Sequence, residues 1–130
     1  PGCADYSRGQ LEELNKLVRT LGAAGILTIA LDSSIGNLDD ITIENVKSVA
    51  SKYMTVEQVK AMAERLEAGP GDLMLIAAGN VKMVNMVLDN LRNEMGKRLN
   101  MIPENKFAFA FVVDFPLFEY DEKLGREYNT

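Results

Sequence analysis

The chain of 130 residues carries 14 basic and 19 acidic side chains, a net charge of −5, and 47% of its residues are hydrophobic. This composition is that of a globular domain and excludes wholesale disorder. The chain has one cysteine and no histidine, which excludes a Ser-His-Asp triad, a Cys-His pair and a histidine-ligated zinc within it. No apolar run approaches the ~18 residues of a membrane span, so we expect no membrane partner. The acidic balance argues against a general nucleic-acid-binding domain, and the lone thiol fits a reducing, cytoplasmic location.

The first half of the chain predicts one helix, one strand and a segment of ambiguous structure. Ser7 begins a capping box, and leucines at helical spacing follow until Gly22 ends the helix. The run of branched residues at 25–31 predicts a buried strand. Residues 32–40 are typical of a loop. Residues 41–53 fit either a short helix or the beginning of a strand.

The second half predicts two helices and two strands. A capping box at Thr55 begins a helix that the turn at 69–71 (Gly-Pro-Gly) should end. Residues 72–78 predict a second strand, and an apolar stripe predicts the longest helix over about 81–99. Residues 107–113 (FAFAFVV) are apolar throughout, which predicts a strand covered on both faces or lying at an interface. The polar tail from Tyr120 is expected to fray.

Four basic side chains of the longest helix are the candidate contacts to nucleic acid: Lys82, Arg92, Lys97 and Arg98. Basic side chains of this kind neutralise RNA phosphates. At about 100° per residue, however, the four scatter around the helix and form no stripe, which favours an ordinary solvated face. Arg98 falls on the apolar face, where its stem can pack and its charged head can reach water.

Other patterns that could carry chemistry favour simpler interpretations. The strand-turn-helix order at 78–81 suits a phosphate cradle but contains one glycine, and the turn at 69–71 lies in the wrong order and includes a proline without an amide. The acidic pairs at 39–40 and 121–122 come without a partner that would tune a pKa, so general acid-base work is unsupported. We therefore predict no catalytic residue and no metal site.

A segment near the end of the chain carries a family resemblance. Residues 112–119 (VVDFPLFE) are similar to the V-[VI]-D-F-P-[LM]-F-E segment of bacterial-type aspartyl-tRNA synthetases. Other matches lie in the family's order: Pro1-Gly2-Cys3-Ala4 with Ser7-Arg8 and Gln10, residues 21–26 against YGAKGL with Leu21 for Tyr and Ala24 for Lys, Gly71-Asp72-Leu73, and Leu91-Arg92 with Met95-Gly96-Lys97. Together these matches cover nearly the whole chain, which therefore resembles the insertion domain of these enzymes, called the GAD domain.

The resemblance implies a fold and a division of the chain. It implies an α+β two-layer sandwich with helices packed on one face of a mainly antiparallel sheet. Residues 1–113 would form the GAD-type insertion domain, whose first strand in the family precedes Pro1, and residues 114–130 would form the exit segment to a class II catalytic domain. The alternation of elements alone leaves a parallel α/β sheet open as well.

The resemblance also implies a function. The parent synthetase, a homodimer, would activate aspartate with ATP and Mg²⁺ and charge tRNA, while this domain would be non-catalytic and lie near the tRNA acceptor end. Its partners would be tRNA and the parent's own catalytic domain. The family's arginine motif for ATP and its His-His-Pro-Phe stretch are missing, so no catalytic residue carries over. One alternative is the related domain of a tRNA-dependent amidotransferase subunit, which residues 112–119 disfavour. The other is a small stand-alone enzyme, which the lack of histidine disfavours.

Overall fold

The computed structural model describes residues 1–121 and 124–129 of the chain. Within these residues, the first 98 contain three α-helices and a three-stranded sheet, in the order α1 (Arg8–Thr20), β1 (Leu27–Leu31), β2 (Val46–Lys47), α2 (Val56–Arg65), β3 (Leu73–Ile76) and α3 (Val81–Arg98). Single turns of 3₁₀ helix lie between β1 and α2, at Leu38–Asp40, Ile43–Asn45 and Ser51–Tyr53. A hairpin of β4 (Phe118–Asp121) and β5 (Arg126–Asn129) follows near the end of the chain.

Each α-helix begins at the cap that the sequence indicates. The Oγ of Ser7 accepts a hydrogen bond from the Gln10 amide at 3.3 Å, and the Gln10 side chain accepts one from the Ser7 amide at 2.9 Å. Thr55 makes the same reciprocal pair at the start of α2. Asn80 Oδ1 accepts from the amide of Met83 at 2.9 Å and starts α3. These contacts satisfy amides that have no partner within the helix, so the predicted helix starts are confirmed.

Helix α2 ends before the glycine-rich turn that the sequence predicted as its end. Its last turn closes with Glu67 in the left-handed region at φ 52°, and the Ala68 amide donates to Ala63 O at 2.9 Å. This bond occupies a carbonyl at the helix end. The turn at 69–71 belongs to the sheet instead, because the Gly71 amide donates to Leu31 O at 2.9 Å. The prediction was wrong because a glutamate adopts the left-handed conformation usually given to glycine.

The three strands form an antiparallel sheet in the order β2-β1-β3. Strand β1 pairs with β3 from Leu27 opposite Ile76 to Ala30 opposite Leu73. Strand β2 contributes only two residues, so most of the ambiguous segment 41–53 forms 3₁₀ turns and neither a helix nor a full strand. The prediction of an α+β fold with an antiparallel sheet is confirmed, and the parallel alternative is wrong.

Alternating side chains of the sheet enter two apolar clusters. In the first, Ile29 and Met74 pack with Val59 and Ala63 of α2. In the second, Leu75 packs against a set of buried residues from α1, α3 and the intervening loop, namely Leu14, Val18, Ala23, Val87 and Leu91. Neighbouring residues of a strand point to opposite faces, so α2 and the α1–α3 pair lie on opposite sides of the sheet. The resemblance had implied helices on one face, and the layer arrangement differs in this detail.

Residues 107–113 are neither a strand nor covered in the structure. Phe107, Phe109 and Phe111 are 88%, 96% and 100% exposed. Asn105 and Asp114, with φ of 57° and 55°, bracket the segment with left-handed turns. A strand needs a bonded neighbour, and the three-stranded sheet is complete before this point in the chain. The prediction of a covered strand is therefore wrong here, while the alternative of an interface segment stays a prediction.

The tail of the chain pairs with itself where it is described. Strand β4 runs antiparallel to β5, from Phe118 opposite Asn129 to Asp121 opposite Arg126. The expectation that the tail from Tyr120 frays is thus wrong for Tyr120, Asp121 and Arg126–Asn129, because main-chain pairing holds these residues together. Residues 122–123 and 130 lie outside the described part of the chain. Among the described residues no helix combines the length and the apolar character that crossing a bilayer requires.

A carboxylate fixes the end of β1 next to β2. One oxygen of Asp32 accepts a hydrogen bond from the Ser34 amide at 2.9 Å, and the other lies 3.0 Å from Nζ of Lys47. The hydrogen bond from Ser34, together with Lys47, lowers the pKa of Asp32 from 3.8 to about 2. The ionised form is the one that these contacts stabilise.

This lowered pKa predicts a pH-dependent contribution to stability. Because the folded pKa of Asp32 lies below its ordinary value, the carboxylate stabilises the fold above pH 3.8 and loses this effect as the pH falls towards about 2. We expect Asp32→Asn, which keeps an acceptor for Ser34, to lower the urea midpoint at neutral pH and to have a shrinking effect in acid. The original protein and the variant are measured at each pH, so that the contributions of the other carboxylates to stability cancel in the difference between the two midpoints. A difference that stays constant with pH would contradict this prediction.

Candidate nucleic-acid interface

Helix α3 presents the four basic residues on a helix that is anchored by its apolar face. Val87 and Leu91 are buried in the cluster shared with α1. Lys82 stands in the first turn, Arg92 in the middle, and Lys97 and Arg98 in the last turn. Two positive charges at a helix C-terminus complement the negative end of its dipole. Helix stability alone therefore accounts for part of this basic character.

The two arginines of α3 already have acidic partners. Arg92 Nη2 donates to Asp89 Oδ1 at 2.7 Å, in an ion pair that is exposed on both sides. Arg98 Nε donates to Glu94 Oε1 at 2.7 Å. Arg98 Nη1 also lies 3.2 Å from Oε2 of Glu13, which belongs to α1.

Arg98 acts as a connection between helices. Its side chain is only 26% exposed. The hydrogen bond to Glu94 is the main contact that raises the pKa of Arg98, and Glu13 adds to it. Because two carboxylates neutralise the positive charge of this guanidinium, it attracts an external phosphate only weakly. The sequence predicted that this charged head reaches water, whereas the structure shows it held by Glu94 and Glu13.

The structure does not gather the four basic residues into one patch. With 3.6 residues per turn, Lys82 lies on the side of α3 opposite Val87 and Leu91, while Arg92 and Lys97 lie on different flanks. Lys97 is exposed to solvent. The expected scatter is therefore what the helix displays, and any nucleic-acid contact by these residues would be local.

A cavity that the sequence reasoning missed lies beside α3. Its volume is about 580 Å³, and its walls come from four stretches: the N-terminus at Pro1 and Cys3, the turn after α2, β3 with the preceding Asp72, and α3 with the chain that follows it. Arg92 and Asn93 are the α3 polar residues on its wall, and most of the other lining residues are apolar, including Leu73, Leu75, Leu91, Met95, Leu99 and Ile102. Such a cavity suits an apolar group held at a polar edge. The alternation in β3, which sends Leu73 and Leu75 away from α2, is the sequence signal that could have indicated it.

The cavity wall offers anchoring groups and no acid-base pair. Asp72 accepts hydrogen bonds from the amides of Gly69 at 2.9 Å and of Gly2 at 2.6 Å. The bond from Gly69 is the first cause of the lowered pKa of Asp72. The carboxylate is therefore an ionised acceptor that fastens the turn before β3. Its arrangement serves structure, and proton transfer would need a group that is readily protonated.

Both glycine turns use their polar groups within the fold. At the start of α3, Asn80 caps the Met83 amide, and the methyl end of Met83 fills the space where a side chain on Gly79 would stand. A phosphate bound at this turn would have to displace the Asn80 cap and the Met83 side chain. In the turn at 69–71, the amides of Gly69 and Gly71 bond to Asp72 and Leu31. These contacts support the interpretation of both segments as plain turns.

The donor groups of the described residues do not fit an ATP and Mg²⁺ site. Residues 1–121 and 124–129 hold no group of three or more cysteine, aspartate or glutamate side chains close enough to share a metal ion. Of the predicted acidic pairs, Asp39 lies 4.0 Å from Lys60 Nζ in an exposed contact. Asp121 ends β4, and Glu122 lies outside the described residues.

Comparison with known proteins defines the family. The model of the GAD domain family matches residues 1–88. An aspartate–tRNA(Asp/Asn) ligase of Dehalococcoides mccartyi (strain BAV1) is 52% identical over all 130 residues, which are 22% of its length. Ligases of the same name from Thermoanaerobacter sp. (strain X514) and Heliobacterium modesticaldum are 45% and 41% identical over 93% and 99% of the chain, or 19% and 20% of their own lengths. The chain thus spans about a fifth of these relatives, and since the family model covers more than half of its residues, it belongs to the GAD domain family.

Proposed function

We propose that this chain is the non-catalytic insertion domain of a longer aspartate–tRNA ligase. The observation that carries the proposal is the alignment of the entire chain, at 52% identity, with about a fifth of a protein of that name. Residues 1–113 form the insertion domain, and residues 114–130 lead back to the class II catalytic domain. The parent is a cytoplasmic homodimer that uses ATP and Mg²⁺, and its reactive groups lie in the sequence that flanks this chain.

The domain's proposed role is to contact the acceptor end of tRNA through α3. Because the chain is acidic overall, the contact area is small, and the basic side chains reach only a few phosphates of the tRNA. Lys82, Arg92, Lys97 and Arg98 are the proposed contacts. Lys97 is exposed, and Arg92 can exchange its exposed partner Asp89 for a phosphate. Arg98 is held by Glu94 and Glu13 and contributes least.

A binding experiment tests this role. Fluorescence anisotropy of labelled tRNA(Asp), titrated with the chain at several salt concentrations, should show weak, salt-dependent binding that falls when the single-stranded 3′ end is removed. We expect Arg92→Ala and Lys97→Ala each to lower the slope of log affinity against log salt by about 1. Lys52→Ala removes an exposed positive charge from a 3₁₀ turn outside α3 and serves as the control. Equal losses for Lys52→Ala and the α3 variants would reduce the contact to non-specific attraction.

The non-catalytic assignment has its own test. The chain alone should support no aspartate-dependent exchange of pyrophosphate into ATP, whereas the longer protein should. In the longer protein, the segment that corresponds to residues 1–113 of this chain can be replaced by a short linker. This replacement should leave aspartate activation in place and slow the charging of tRNA. Steady turnover by the chain alone would contradict the non-catalytic assignment. Unchanged charging by the shortened protein would contradict the tRNA contact.

A further inference from the structure

The guanidinium of Arg98 connects the last turn of α3 to α1. Its Nε donates to Glu94 Oε1 at 2.7 Å on the same helix, and its Nη1 lies 3.2 Å from Glu13 Oε2 on α1. These contacts bring one positive and two negative charges together at the end of the helix that we propose for the tRNA contact. This group of side chains is therefore net negative, although it contains an arginine.

The two carboxylates are held differently. Glu94 lies four residues before Arg98 on α3, in the orientation that favours such a pair, and its side chain is 33% exposed. The Glu13 side chain is 62% exposed, and its contact with Arg98 is the longer of the two. An exposed ion pair contributes little to stability, so Glu13 is the partner that Arg98 exchanges more easily.

The geometry makes Glu13 and a phosphate compete for the same edge of Arg98. A guanidinium presents five N–H donors in a planar fork, and its terminal edge, formed by Nη1 and Nη2, matches two oxygens of a phosphate. Glu94 binds at Nε, outside this edge, whereas Glu13 lies against Nη1. A phosphate held by both terminal nitrogens therefore has to replace Glu13.

Building on the tRNA contact proposed for α3, we propose that Glu13 is a built-in competitor of tRNA phosphate for Arg98. In the unbound chain the carboxylate occupies the terminal edge of Arg98, so an anion that meets only this end of α3 gains little. A phosphate brought there by the other contacts of the tRNA displaces Glu13, because the loss of an exposed ion pair is small. Arg98 then joins the contact only when the RNA is already in place.

A double-variant cycle tests the competition. Glu13→Gln removes the competing negative charge, and Arg98→Met removes the positive charge while keeping an apolar stem that packs. In the anisotropy titration with labelled tRNA(Asp), Glu13→Gln should raise the affinity several-fold. It should also steepen the fall of log affinity with log salt by about 1, because one more cation meets a phosphate. In the Arg98→Met background, Glu13→Gln should leave this salt slope unchanged.

Two matched controls make the same chemical change elsewhere. Glu94→Gln acts on the other partner of Arg98 and should raise the affinity less, because Glu13 still lies against the terminal edge. Glu64→Gln changes an exposed residue of α2, on the other side of the sheet, and measures the general effect of removing one carboxylate. Far-UV circular dichroism should be the same for all these variants, since their side chains lie outside both apolar clusters.

The possible results separate this competition from the tRNA contact itself. If the original chain binds tRNA and Glu13→Gln gains no more than Glu64→Gln, the competition is overturned and the proposed function stands. A gain that persists in the Arg98→Met background would overturn it too, because Arg98 would not be the released group. Equal gains for Glu13→Gln and Glu94→Gln would exclude the exchange at the terminal edge. Absence of binding by every variant would overturn both proposals.

Discussion

Replacing Ala63 by aspartate is expected to remove a large part of the stability of the fold. Ala63 lies fully buried on the inner face of α2, in the cluster with Ile29 and Met74. An aspartate there would bury its charge among the apolar side chains of this cluster. The cost is about 4 kcal/mol or more, which is a large part of the 5–15 kcal/mol (roughly) that stabilises a typical domain. Urea unfolding followed by far-UV circular dichroism measures this loss.

The control for this variant lies two residues away on the same helix. Ala61 is exposed, so Ala61→Asp makes the same chemical change in water and costs about 0.5–1 kcal/mol, mostly in helix propensity. A comparable midpoint for the two variants would show that α2 does not pack against the sheet. The comparison therefore tests the placement of α2 and not the intrinsic stability of the helix.

Truncating Leu14 to alanine is the second large effect that we expect. Leu14 is fully buried where α1 meets α3. Removing its side chain takes apolar contacts from both helices and leaves a cavity, which costs about 2–5 kcal/mol. The midpoint of urea unfolding should fall while the slope stays unchanged, because the surface exposed on unfolding is nearly the same.

Leu117→Ala is the matched control for the core variant. Leu117 is 70% exposed, so the same truncation there removes few contacts and should change stability by about 0.5 kcal/mol or less. If Leu14→Ala were as mild as Leu117→Ala, the α1–α3 contact would not be part of the folded core. Such a result would also remove the support that positions the basic residues of α3.

Local sequence patterns predicted the helices well because their determinants are local. The caps at Ser7, Thr55 and Asn80 each act on an amide three residues away, and apolar residues at helical spacing identify the buried side. The position of Arg98 on the apolar face of α3 could likewise be counted from the sequence. Its partner Glu13 could not, because that residue lies on α1 and meets Arg98 only after the two helices pack.

Predictions failed where the outcome depends on partners distant in sequence. The segment 107–113 has the composition of a covered strand, yet no described neighbour pairs with it. Residues 41–53 were ambiguous because only two of them, Val46 and Lys47, form a strand, by pairing with Leu31 and Ala30. Two residues are too few to give a recognisable strand pattern in the sequence. The cavity beside α3 was missed because its walls come from four separate stretches of chain.

The sequence by itself determined the helix starts, the apolar faces, the absence of histidine chemistry and the resemblance to the GAD domain. These properties follow from residue types and from spacings of three or four positions. Only the tertiary structure decided the sheet order, the sides on which the helices lie, the ion pair from α3 to α1 and the exposure of residues 107–113. Each of these depends on which surfaces remain after distant elements have packed, and burial is a property of the assembled layers.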